Sequence, residues 1–164
     1  MPNWCSNNIV IEGPKEKVEA IWSRATDDTD EGLLTALHPI GKWEYETALA
    51  EWGTKWDINM TDANLEISED GTRIEGFFES AWSPPLEAFN TFCEDMDGVY
   101  AEIYYHEPGM TFVGYWDSEG ADDHYDYGGA TSKTIRDIIP EYLDDAFEIS
   151  ESMAMWEEEE AENV

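Results

Sequence analysis

Basic residues are scarce in this chain. Eight Lys and Arg stand against 39 Asp and Glu in 164 residues, giving a formal net charge of −31. A chain this acidic is repelled by nucleic acid and by anionic lipid, so direct binding to either is excluded as an expectation. Cysteine is nearly absent as well. Cys5 and Cys93 alone make neither a disulfide framework nor a four-ligand zinc site, and reduced structural thiols are expected. No stretch approaches the roughly 18 apolar residues of a membrane span, and Met1-Pro2-Asn3-Trp4 lacks the basic and apolar regions of a signal peptide. The reading is a soluble, cytoplasmic protein. There is also no Gly-rich phosphate loop, no paired metal histidines and no nucleophile elbow. No catalytic residues, metal or cofactor are assigned, and the protein is read as a non-enzyme.

Aromatic residues are plentiful: eight Trp, eight Tyr and six Phe can fill the core of a domain this size. The segment Arg73 to Trp82 places Ile74, Phe78 and Trp82 on one set of alternating positions, which predicts an interior strand with Trp82 buried. After it, Ser83 is expected to cap a helix with Pro84 in its first turn. Leu86, Phe89, Phe92, Cys93 and Met96 follow at helical spacing. Leu65 to Ser68 with Asp70-Gly71 supplies a hairpin before this strand. Val99 to Glu107, Pro108-Gly109 and Met110 to Trp116 supply another after it.

At the start, Trp4 to Glu12 reads as a strand ended by Gly13-Pro14, and Pro14 to about Ala25 as a helix burying Val18, Ile21 and Trp22. Asp27 to Gly32 is an acidic loop. It leads into an inserted segment at about 33–57, with a short helix between Trp43 and Trp52. Ser118 to Gly129 reads as an exposed flexible loop whose Glu119, Asp122, Asp123 and Asp126 do not have the spacing of a calcium-binding hand. Beyond it, Ile135, Ile138, Ile139, Tyr142, Leu143, Ala146 and Phe147 predict an amphipathic helical region restarted at Pro140. Its last ten residues are expected to be disordered. The order of elements is α+β, a ferredoxin-like antiparallel sheet of split β-α-β type. To this are added an inserted helical segment, an extra hairpin strand and an acidic C-terminal helix. The division is a domain at 1–130 and an acidic extension at 131–164.

Four blocks carry a resemblance. Met1-Pro2-Asn3-Trp4-Cys5-Ser6-Asn7, Trp52-Gly53-Thr54-Lys55-Trp56-Asp57, Ala81-Trp82-Ser83-Pro84-Pro85 and Tyr104-Tyr105-His106-Glu107-Pro108-Gly109-Met110 resemble, in order, the YubB-type family of phage and plasmid proteins. The resemblance spans residues 1 to about 116 and implies a ferredoxin-like fold and a mobile-element origin. It implies no catalytic residues.

Three groups of residues are candidates for chemistry. Cys5 and His106 would make a nucleophile and base if they met in space, although a packed thiol is the plainer expectation. Trp52, Lys55, Trp56, Asp57 and Trp82, with Trp4, are candidates for a pocket, in which Lys55 would pair with Asp57 or bind an anion; a shared core is the plainer alternative. Tyr100 and Tyr104 share a strand face, as base-stacking aromatics do, but lack basic surroundings. The favoured reading rests on charge. Asp122, Asp123, Asp126, Glu141, Asp144, Asp145, Glu148 and Glu151 form a candidate surface imitating nucleic-acid phosphates, docked to a basic nucleic-acid-binding host protein, either of a defence system or of transcription. The rival is a binding module for a small ligand or a protein partner, with acidity serving solubility.

Overall fold

The computed structural model describes residues 3–27 and 32–163. Most of the acidic loop between the first two helices therefore lies outside the described residues. Strand β1 (Trp4–Glu12) alternates strictly, with Cys5, Asn7, Ile9 and Ile11 buried on one face. Pro14 ends it, and helix α1 (Lys15–Thr26) buries Val18, Ile21 and Ala25, with Trp22 half-buried against the same core. Two further helices follow, α2 (Leu33–Leu37) and α3 (Tyr45–Trp52), where a single short one is expected. The inserted segment belongs to the core. Leu33, Leu34, Ala36, Leu37, Ala48 and Trp52 are all buried in it.

Strands β2 (Asn64–Ile67) and β3 (Arg73–Ala81) form the expected hairpin. Helix α4 (Leu86–Asp95) and strands β4 (Tyr100–Glu107) and β5 (Phe112–Asp117) complete the predicted order. The sheet runs β2-β3-β1-β4-β5 and gains a sixth strand, β6 (Asp122–Asp126), at its edge. All pairs are antiparallel. The order β2-β3-β1-β4 is that of a split β-α-β unit, so the fold is ferredoxin-like with β5 and β6 added beside β4.

Two glycines make the strand packing possible. Gly76 has φ +141, and a Cβ there would meet the Asn64 carbonyl oxygen at 2.1 Å, so only glycine lets β2 lie this close to β3. Opposite Tyr105, Gly114 leaves room for the phenol, whose oxygen would lie 2.2 Å from a Cβ. Asn7 ties the sheet centre together. Its Nδ2 donates to the Cys5 and Phe78 carbonyls and to Ser80 Oγ.

Several local expectations are corrected. Trp82 is exposed, because the strand ends at Ala81 and the chain turns away through φ +69 at Trp82. Ser83 does not cap α4; its hydroxyl donates to the Gly53 carbonyl, and the helix begins at Leu86. The segment expected to be a flexible loop contains β6, held by backbone pairing to β5. The C-terminal helical region has two α-helices, α5 (Glu141–Phe147) and α6 (Ile149–Glu162), with the left-handed Glu148 (φ +52) between them. The last residues are helical rather than disordered, and Glu157 accepts from the backbone N–H and hydroxyl of Ser132.

The sheet separates two cores. Helices α1 to α4 cover one face over the larger core. On the other face, Val113, Tyr127, Ile135, Ile139, Leu143 and Ile149 form a second core that seats α5 against β4 and β5 and takes in the start of α6 through Ile149. The part of this second face that belongs to β2, β3 and β1 stays open, with Glu66, Glu75, Phe77 and Glu79 exposed.

Candidate functional site

Along this second face the strand register lines carboxylates up, from the exposed Glu66 and Glu75 to the half-buried Glu102 and Asp117 on β4 and β5. Glu66 stands opposite Glu75, Glu75 opposite Val10, Val10 opposite Glu102, and Glu102 opposite Asp117. Neighbouring strands are about 4.8 Å apart, so four carboxylates fall on a row of roughly 19 Å. Arg73 is the base beside this row, and Glu12 and Glu75 both pair with it. Tyr115 donates to Glu102 and Asp117 at 2.9 Å each, and Tyr100 to Glu102 at 2.9 Å. Asp117 is thereby held below the usual carboxylate range by backbone and Tyr115 donors, against the opposing effect of its desolvation. This row is not among the candidate residues expected from the sequence. Its signal was the acidic set alternating with Ile74 and Phe78 along β3.

The eight acids assigned to a docking surface divide. Asp122, Asp123 and Asp126 are exposed on β6, where charge on an edge strand also discourages pairing with another chain. Tyr142 donates to Asp123 Oδ2 at 2.5 Å, which fastens α5 to that edge. Glu141, Asp145, Glu148 and Glu151 are exposed on or between the terminal helices. Asp144 is not on the wet face. It is 5 % exposed and accepts Ser150 N–H and Ser150 Oγ–H at 2.7 Å each, closing the start of α6, with Arg136 at 3.5 Å. The left-handed turn at Glu148 redirects the chain into α6 and brings Ser150 to Asp144. Continuous helical spacing does not foresee that.

The tryptophan group divides too. Trp52 is a core residue whose Nε1 donates to the His38 carbonyl, and Trp82 is exposed and does not line the cleft that Trp4 and Trp56 share. Asp57 is occupied structurally: at 2.5 to 3.2 Å it accepts the N–H groups of Gly32, Leu34, Thr35 and Ile58 and the Thr35 hydroxyl. Lys55 turns instead onto the Trp56 ring, its Nζ 4.4 Å from the centroid. Trp56 and Trp4 do line a common cleft of about 390 Å³ with Phe77, Glu79 and Asp62. Their ring centroids are 6.3 Å apart at an interplanar angle of 41°.

Cys5 and His106 do not meet as nucleophile and base. Ser6 is the residue opposite His106, so Cys5 points into the helix-covered core while His106 faces the second one. Burial pushes the Cys5 thiol up, and the nearby Glu107 carboxylate adds to this. His106 Nε2 lies 2.7 Å from Tyr127 Oη, and burial lowers the imidazole to about 4. Tyr104 is covered by Tyr115 and Tyr142, with ring centroids 4.7 and 6.4 Å away, and is no free stacking platform. Among the described residues no group of three or more His, Cys, Asp or Glu is arranged to hold a metal ion, and no helix is long and apolar enough to cross a membrane.

Residues 51–163 match the family described as the ferredoxin-like domain in Api92-like protein. The chain belongs to that family. The part shared with the Api92-like domain runs from the end of α3 to α6 and so takes in the acidic terminal helices as well as the hairpins. No curated protein and no solved structure matches the chain.

Proposed function

We propose that this chain is a non-enzymatic inhibitor encoded by a phage or plasmid, of the YubB type. Its carboxylates stand in for nucleic-acid phosphates and occupy a basic site on a host nucleic-acid-binding protein, of a defence system or of transcription. The observation that carries the reading is the excess of 31 negative charges on one domain. Duplex DNA carries one charge per about 1.7 Å of axis, so this excess corresponds to roughly 50 Å of duplex, a length comparable with a small domain. The row from Glu66 to Asp117 and the exposed acids of α5 and α6 support it.

The test is competition. A host protein captured by the full chain should itself bind nucleic acid, and duplex DNA should displace it. A partner that binds DNA and this chain at the same time overturns the proposal. The chain alone should give no mobility shift with DNA or RNA in about 0.1 M salt, where the Debye length is about 10 Å; micromolar binding without added metal would count equally against mimicry. The aromatic cleft favours a second reading, a ferredoxin-like module that binds a small ligand or a protein segment.

A further inference from the structure

Three exposed aromatic rings share one cleft on this molecule. Trp4, Trp56 and Phe77 are 42, 39 and 37 % exposed, and all three line the cleft between the end of β3 and the segment after α3. They come from β1, from that segment and from β3. Glu79 and Asp62, both exposed, line the same cleft. Aromatic faces carry negative quadrupole charge, and two carboxylates beside them make a site complementary to an organic cation. The protein already shows the contact, since the Lys55 ammonium sits over the Trp56 ring.

We propose that this cleft binds an arginine side chain of a protein partner. The tilted pair of tryptophans forms a wedge. A flat guanidinium can stack on an indole face while its N–H groups reach Glu79 or Asp62, and it gives up hydration more readily than an ammonium. The cleft adds side-chain selectivity to an acidic surface that otherwise attracts any polycation. It does not depend on mimicry, because an arginine can be recognised whether or not the partner's site also binds DNA.

The test uses the full chain, titrated calorimetrically with acetyl-triarginine amide and acetyl-trilysine amide in about 0.3 M salt to weaken non-selective attraction. The arginine peptide should bind about fivefold more tightly than the lysine peptide. Trp56→Ala should weaken the arginine peptide by about fivefold to tenfold and bring the two peptides level. Glu79→Gln, at an exposed position, should weaken it by at least threefold, and Trp82→Ala, which alters an exposed tryptophan outside the cleft, should change nothing. Thermal unfolding of each variant accompanies the titrations, and if Trp56→Ala does not fold, Glu79→Gln and Phe77→Leu decide. Equal affinity for the two peptides, or binding indifferent to the cleft variants, overturns the proposal. The DNA-competition result stands either way, so the failure of one reading is distinguishable from the failure of the other.

Discussion

The two faces of the sheet are held by different physics. On the face covered by α1 to α4, Ile9, Ile11, Ile74, Phe78, Phe89 and Ile103 form the apolar centre, with Asn7, Ser80 and Glu107 the polar side chains buried on the same face. On the face covered by α5 and the start of α6, the apolar centre of Ile135, Leu143 and Ile149 is ringed by tyrosines and by His106, whose ring centroid lies 5.3 Å from that of Phe147 at a tilt of 43°. Tyr142 packs against Tyr104 and Tyr115 and bonds to Asp123. The first interface rests mainly on removal of apolar surface from water. The second adds hydrogen bonds to charged groups and a titrating imidazole, so its strength depends on pH, and it is the natural place for the molecule to loosen first.

Four measurements break or sharpen that contrast. The largest effect is expected in the first core, where Phe78→Ala should cost roughly 3 to 5 kcal/mol and shift the whole unfolding transition in urea. A cost under 1 kcal/mol would mean that the helix-covered core is not the dominant one.

Next comes His106. Its folded value of about 4 lies below the ordinary 6.5, so the unfolded chain takes up the proton first as pH falls. Nothing is lost above pH 6.5; stability falls progressively through the window from 6.5 to 4, by about 3 kcal/mol in all. The comparison is with His106→Gln, which shares the falling self-repulsion of the carboxylates but lacks the imidazole. Parallel stability curves for the two proteins would refute a buried neutral His106.

Smaller is Asp144→Ala, which leaves the Ser150 N–H and hydroxyl without their acceptor and should cost about 1 to 3 kcal/mol. The loss should show as faster amide exchange confined to α5 and α6; exchange that also rises in β1 and β3 would mean the two packs unfold together.

The smallest effect on stability belongs to Glu141→Lys with Asp145→Lys, both exposed, within about 0.5 kcal/mol. The same pair should weaken binding to a basic partner and flatten its salt dependence. Unchanged binding with unchanged stability would remove α5 from the interface. Asp144 has no place in that variant, since its charge is committed to α6.

Period-two alternation made β1, β3 and β4 legible, and with the turn signals it was enough for the order of a split β-α-β sheet. Other parts could not be read because what decides them is not local. Leu33–Leu37 is too short to show a helical period, and it becomes a helix because the Asp57 carboxylate accepts its first N–H groups from far along the chain. Asp122–Asp126 has the composition of a loop, yet backbone pairing to β5 makes it a strand.

The amino-acid sequence by itself determined the charge, the alternation that assigns each strand residue to a face, and hence the ferredoxin-like order, because these depend on residue type and spacing alone. Tertiary structure alone decided which acids and aromatics face solvent together. The turn at Glu148 withdrew Asp144 into a cap, and the departure of the chain at Trp82 separated that ring from the other tryptophans. Three distant segments brought Trp4, Trp56 and Phe77 to one cleft. Exposure is a property of what packs above a residue, and that covering comes from elsewhere in the chain.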